Sequence, residues 1–217
     1  MKKSFSKFYL LATLGLASVV FTSAKDDDLK SSGSDPKTTD TCVVINGVKW
    51  ATRNVDAFGT FAEKPESAGM FYQWNRKKAW SATGEVANWD SSVPTGTTWE
   101  KSNDPSPKGW RVPTKAELQS LFDTEKVTNV RTTQNGVNGR KFTDRTTGNS
   151  LLLPAAGYRD YSDGALYGAG VRGFYWSSTP YETVEMYAYA AGFYEGGAYV
   201  YYDGRRDGLS VRCVLAE

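Results

Sequence analysis

YAYAAGFYEGGAYVYYDGRRDGLSVRC, Tyr187 to Cys213, is the stretch on which the fold turns. It holds six tyrosines, five glycines and the second of only two cysteines. Along a strand side chains alternate between faces. Tyr187 and Tyr189 therefore share one face, with Ala188 and Ala190 on the other. Tyr199 and Tyr201 share a face, with Val200 and Tyr202 opposite. Glu195-Gly196-Gly197 supplies a turn, and Asp203–Gly208 (DGRRDG) a longer loop. The segment is thus predicted to form three strands, VEMYAYAAGFY, GAYVYY and LSVRCV. Eleven of the thirteen tyrosines lie between Tyr158 and Tyr202, so the aromatic weight of the chain sits in this half.

Upstream, CVVINGVKWATRNV carries Asn46-Gly47 between partly alternating runs and reads as a β-hairpin. GMFYQWNRKKAW is ambiguous between strand and short helix. Residues 81–109 are rich in Gly, Pro, Ser and Asn between scattered Trp and read as loop. VPTKAELQSLFDTEK is the clearest helix. Thr114 and Glu117 form a capping box, and Leu118, Leu121 and Phe122 are spaced to face one core. RKFTD, NSLLLPAAG and GFYWSSTP read as strands, the last two stopped by Pro154 and Pro180.

The first 24 residues have the design of a secretory signal peptide: Lys2, Lys3 and Lys7, an apolar run, then Thr22, Ser23 and Ala24. An uncleaved N-terminal anchor is the alternative. FTSAKDDD resembles the start of Bacteroidota lipoproteins, but Ala24 stands where lipidation needs a thiol, so no lipid is expected. Residues 25–41 are polar and read as a flexible linker. Residues 42–217 are then a single domain.

The whole chain has 26 basic and 24 acidic side chains; removing the three lysines of the signal leaves 23 against 24, close to neutral. No nucleic-acid partner is implied, nor any membrane span after signal cleavage. Export places Cys42 and Cys213 in an oxidising compartment, where a disulfide between them is expected; two separate buried thiols are the alternative.

INGVKWATRNV, SAGMFYQWN, SPKGWRVPTKAEL, LLLPAAGYRD, YWSSTP and LSVRCV occur in that order over nearly all of 42–217. Together they resemble the Fibrobacter succinogenes major paralogous domain family, common in secreted Bacteroidota proteins. That family resembles in turn the C-type-lectin-like fold in the variant of formylglycine-generating enzymes. The resemblance implies an α+β, loop-rich domain with short antiparallel strands, one or two helices, and adjacent N- and C-terminal strands. It also implies ligand contacts from the last hairpin and loops. The calcium-dependent sugar-binding tripeptides of that fold are absent, Asn88–Asp90 being only a scrambled near match. No cysteine is spare for formylglycine-type chemistry once Cys42 and Cys213 pair.

The chain has no histidine, which removes Ser-His and Cys-His systems and the commonest zinc ligand. Asp160 with Asp163, or Asp203 with Asp207, are conceivable carboxylate pairs, but both sit in Gly-rich loops where Asp serves turn geometry. A calcium site at Asp203 and Asp207 is opposed by the intervening arginines. GAGVRG (Gly168–Gly173) matches a dinucleotide fingerprint, yet a β-type segment follows instead of the helix that chemistry requires. Trp110 and Trp176 read as core residues rather than sugar platforms.

The expectation is therefore an exported, non-catalytic, adhesin-like binding domain without cofactor or metal, taking an extracellular glycan or protein. A structural module of a surface appendage is the alternative, and an enzyme of the formylglycine-generating type a less favoured one. The candidate binding residues are Tyr194, Tyr199, Tyr201, Asp203, Arg205 and Arg206. Tyrosine offers stiff, wide contact area with a hydroxyl tip, as in antibody paratopes. The competing reading is that the same rings cover the core of a sheet-poor domain.

Overall fold

A computed structural model describes residues 42–216. The expected signal peptide and linker lie outside the described residues, as does the question of lipidation.

The N-terminal hairpin forms at Asn46-Gly47, both with positive φ (47° and 78°), joining β1 (Cys42–Ile45) to β2 (Val48–Ala51). Left-handed conformations at both central residues match the twist of the flanking strands. A four-stranded sheet is completed by β5 (Trp110–Arg111) and β15 (Val214–Leu215), in the order β1-β2-β15-β5. Between β2 and β5 come the two-residue strands β3 (Phe71–Tyr72) and β4 (Ala79–Trp80).

The helix α1 (Lys115–Ser120) starts where the capping box places it. Glu117 N–H donates to Thr114 Oγ1, and Thr114 N–H donates to Glu117 Oε2. It lasts only six residues, because a turn at Asp123–Lys126 leads straight into the β-branched β6 (Val127–Gln134). A second Asn-Gly turn, Asn135-Gly136, then joins β6 to β7 (Val137–Asp144), and β8 (Ser150–Pro154) completes a three-stranded sheet. The sequence reading found only the second half of β7.

β9 (Tyr158–Arg159) and β10 (Leu166–Tyr167) pair with each other. β11 (Gly173–Pro180), β12 (Tyr187–Tyr194), β13 (Gly197–Gly204) and β14 (Leu209–Ser210) join β3 and β4 in a six-stranded sheet, ordered β13-β12-β11-β14-β3-β4. The glycines of GAGVRG form turns that feed β11, not a helix. LSVRCV, read as one strand, is divided: its first two residues belong to this sheet and Val214 to the four-stranded one. Both faces of β11 and β12 are covered. Tyr175, Ala191 and Phe193 join a cluster with Leu118, Phe142, Leu151 and Trp50. Trp176, Ala188 and Ala190 join Trp74, Leu209 and Val211 on the other side.

Two expectations are overturned. The α+β, C-type-lectin-like fold is not found: the described residues hold fifteen strands in several small sheets against one short α-helix and a three-residue 3-10 helix, Lys101–Asn103. The segments that would have supplied more helix are Phe71–Trp80, whose aromatic residues pair as strands, and the end of α1, where the turn intervenes. One strand pair, β11 with β14, is parallel rather than antiparallel.

The Cys42–Cys213 disulfide is also absent; both thiols are free. Cys42 stands opposite Ala51 across the β1–β2 pair, and Ala51 N–H donates to Cys213 C=O from the other side. β2 thus lies between the two cysteines. Two strand spacings are about 10 Å, beyond the ~7 Å that a disulfide tolerates between Cα atoms. Cys213 is buried and donates to Ser106 Oγ at 3.0 Å; burial pushes its thiol well above the ordinary range. Thiol titration of the denatured protein should therefore find both cysteines, with no reductant needed. Linked peptides in a non-reducing digest would contradict this arrangement.

Candidate functional site

The tyrosines divide between the two faces of the β12–β13 hairpin. On one face Tyr181, Tyr187, Tyr189 and Tyr202 cluster, with Lys115 Nζ 3.5 Å from the Tyr189 ring and the Tyr189 hydroxyl donating to Glu182 Oε2 at 2.6 Å. On the other face runs a continuous strip of six rings. Tyr194 meets Tyr199 (5.9 Å between centroids), Tyr199 meets Tyr201 (5.6 Å), and Tyr201 meets Phe174 (6.0 Å). Phe174 meets Tyr158 (5.3 Å) and Tyr158 meets Tyr167 (5.9 Å). The strip crosses from the hairpin tip over β11 to the β9–β10 pair. Gly192 makes the crossing possible: a Cβ there would stand 2.9 Å from the Tyr201 ring and 3.2 Å from that of Phe174. At the ends the rings are open to solvent, with Tyr194 42 %, Tyr199 44 % and Tyr167 51 % exposed.

The middle of the strip borders a shallow, open cleft of about 310 Å³, lined by Tyr158, Phe174, Tyr201, Asp203, Asp207 and Asp160 together with Tyr161 and Arg172. Two loops build it. Gly157, at φ 80°, admits no side chain because a Cβ would come within 2.2 Å of Tyr167 C=O, and it sets the chain into β9. Buried Arg159 then anchors the surrounding loops, donating to the carbonyls of Ser81, Thr83, Gly84 and Gly164 at 2.7–3.1 Å. The reciprocal backbone bonds Arg159 N–H to Gly208 C=O and Gly208 N–H to Arg159 C=O, both 2.9 Å, lock the 160–164 turn against the 203–208 loop.

The aspartates in these loops have different duties. Asp160 and Asp163 are turn residues as expected: Asp160 Oδ1 accepts from Ser162 N–H at 2.9 Å, and Asp163 Oδ1 from Ala165 N–H at 2.8 Å. Asp203 accepts from the Tyr201 hydroxyl at 2.7 Å and from Gly204 N–H at 2.9 Å. Asp207, expected to be a solvated turn residue, is only 6 % exposed. It lines the cleft together with Asp203. Burial, followed by the charges of Asp203 and Asp160, pushes Asp207 up to about 8; burial raises Asp203 as well. Two carboxyls lining one cleft oppose each other's ionisation. None of the three cleft aspartates belongs to an ion pair among the described residues. Nor do these residues hold a group of three or more His, Cys, Asp or Glu arranged for a metal ion.

Of the six candidates, Tyr194 and Tyr199 form the exposed end of the strip, and Tyr201 and Asp203 line the cleft. Arg206 lies over the Tyr161 ring at 4.5 Å and donates to Ser91 C=O. Arg205 is displaced from the site. It is 1 % exposed, donates to the carbonyls of Tyr187 (3.1 Å) and Gly96 (2.8 Å), and lies 4.1 Å from the Trp74 ring. Tyr158, Tyr161, Phe174 and Asp207, which line the same cleft, were not among the candidates. The concentration of tyrosine from residue 158 onward was the one signal that covered the first two. Trp176 is fully buried and Trp110 packs edge-on to Phe61.

No curated protein and no solved structure matches the chain. A family model described as the Lcl C-terminal domain matches residues 69–215, which include the whole strip and the cleft. With about two thirds of its length matched, the chain belongs to the Lcl C-terminal domain family.

Proposed function

We propose that this protein is an exported, surface-displayed binding domain without catalysis, and that its binding face is the aromatic strip from Tyr194 to Tyr167. Membership of the Lcl C-terminal domain family points to a surface or secreted protein. The ordered motifs that resemble the Fibrobacter succinogenes major paralogous domains are consistent with this reading. No helix among the described residues is long and apolar enough to cross a membrane. The observation that carries the reading is the strip itself: six rings touching in series from β13 across β11 to the β9–β10 pair, exposed at both ends, with Tyr201, Phe174 and Tyr158 half-buried between them.

Tyr194→Ala and Tyr199→Ala should each weaken ligand binding by roughly 1–2 kcal/mol, with little change in melting temperature because both rings are half exposed. Array screening of glycans and of extracellular proteins with the purified protein supplies the ligand, and calorimetry the affinities. Ligand affinities that ignore both substitutions would remove the strip from the reading.

One observation favours a second reading, an assembly module of a surface appendage. β13 is an eight-residue strand at the edge of its sheet, pairing only with β12. Such an edge is a template for strand addition by another chain. Copurification with appendage subunits, lost on placing proline at the β13 edge but unaffected by Tyr199→Ala, would support it.

A further inference from the structure

We propose that the β13 edge is a self-association surface, on which a second copy of this chain pairs its own β13 antiparallel across a two-fold axis at Val200. This rests on the free edge that favours the assembly reading, and it names the partner.

The edge is open along the strand. Pairing with β12 runs from Tyr187↔Gly204 to Tyr194↔Gly197 without a register shift, so no bulge turns β13 away. Which backbone groups point outward follows from β12. Tyr187 C=O accepts from Tyr181 N–H and Tyr189 C=O from the Ser177 hydroxyl, both on the β11 side, whereas Met186 C=O accepts from Arg205 N–H on the β13 side. Backbone direction alternates along a strand, so Ala188, Ala190, Gly192 and Tyr194 bond to β13, and their partners Asp203, Tyr201, Tyr199 and Gly197 bond back. Ala198, Val200 and Tyr202 therefore turn N–H and C=O away from the sheet, where these groups meet no hydrogen-bond partner among the described residues. Natural edges of this length are guarded by lysine, proline or a bulge. From Gly197 to Tyr202 β13 has no charged residue and no proline, whereas the eight-residue edge strand β6 carries Arg131.

The strand is also complementary to itself. Only one antiparallel register pairs the three outward residues among themselves: Val200 meets Val200 of the second copy, and Ala198 meets Tyr202. Registers shifted toward the loop engage Gly204, whose N–H is already held by Asp203 Oδ1 at 2.9 Å, and those shifted toward the tip engage Gly196 in the turn. On the strip face this register sets Tyr199 against Tyr201 of the second copy, an aromatic cross-strand pair, and Asp203 against Gly197, so no like charges oppose one another. On the other face the small Ala198 receives Tyr202, which is 48 % exposed. Beyond the strand, exposed Glu195 comes level with Arg205 of the second copy and beside Arg206, whose side chain reaches the surface, so the two ends carry opposite charges. Such a contact is isologous, the same patch on both chains. It joins the two aromatic strips through Tyr199 and Tyr201, and a ligand spanning both gains avidity.

One strand pair with its rings is a small interface, about 1,200 Å² or less in total, the class of weak and transient contacts, so the association is concentration-dependent. Sedimentation velocity of the purified protein over a dilution series reads the association, and amide hydrogen exchange by NMR at both ends of the series reads the register. Dimers should accumulate as concentration rises. Once about four fifths of the chains are paired, exchange at Ala198, Val200 and Tyr202 should slow by about fivefold, while Tyr199 and Tyr201, already bonded to β12, should not change. Ala198→Pro removes an outward N–H and leaves the β12 ladder whole, so it should stay monomeric across the series.

A protein monomeric throughout the series would overturn the self-pairing. So would a dimer whose exchange at the three outward residues is unchanged, or one that Ala198→Pro leaves intact. Appendage subunits captured by a monomer through the same edge would overturn the self-pairing and leave the assembly reading standing. The exchange measurement needs no variant, so it decides the matter even if Ala198→Pro fails to fold.

Discussion

Replacing Arg205 with alanine should destabilise the protein by about 3–5 kcal/mol, although the residue sits in a loop two positions from the cleft. Its guanidinium is enclosed, packed on Trp74, and donates to the carbonyls of Tyr187 and Gly96. Truncation leaves both acceptors without this donor and opens a void beside a buried indole. The backbone of the same residue clamps two segments, with Arg205 N–H donating to Met186 C=O and Trp74 N–H donating to Arg205 C=O. For a domain of this size the melting temperature should fall by roughly 6–20 °C. Arg206→Ala is the internal control. Its side chain lies at the surface on Tyr161, and its loss should change stability by about 0.5 kcal/mol or less. Denaturant unfolding of the two variants decides the matter. Equal stability of both, with ligand binding lost in Arg205→Ala, would return Arg205 to the binding face.

The second large effect is on the pH dependence of stability. In the unfolded chain Asp207 ionises near the ordinary carboxylate value, whereas in the fold burial and the charges of Asp203 and Asp160 hold its proton up to about 8. Between these values the folded state binds the extra proton, so stability falls as pH rises from about 4 through 8 and then levels off. The full loss is several kcal/mol, of the order of 2–5 once the coupling of the two carboxyls is allowed for. Glu117 acts with the opposite sign. Burial works against its ionisation, but Arg111 and Thr114 hold its carboxyl below the ordinary value, so its contribution is present at neutral pH and lost in acid. The two windows therefore separate. Asp207→Asn should abolish the decline between about pH 4 and 8 and melt higher than the wild type at about pH 9. A wild type as stable at pH 9 as at pH 5, and unchanged by Asp207→Asn, would show that the fold does not hold a proton on Asp207.

Part of the local chemistry was legible in the sequence, although the Asn135-Gly136 turn and β6 went unread. Asn46-Gly47 turns because those two residues tolerate the left-handed conformation at adjacent positions. Thr114 and Glu117 start a helix because they satisfy the first-turn N–H groups without outside help. The alternation of Tyr187–Tyr189 with Ala188–Ala190 marks two faces of one strand, and the weight of tyrosine after residue 158 marked the half of the chain that carries the strip. Each of these is decided within a few residues, before any distant segment arrives. Tertiary structure alone decided the rest. Arg205 and Arg206 are identical neighbours in DGRRDG, yet one turns toward Trp74 and the other toward Tyr161. Asp160 and Asp207 both look like turn residues, but Asp207 is buried where the Arg159–Gly208 backbone pair joins two loops, while Asp160 stays in its turn. Cys42 and Cys213 are kept apart because β2 runs between their strands, a matter of sheet order across 171 positions of chain. Burial and charge contact depend on which distant segments pack together, and no local pattern of residue types carries that information.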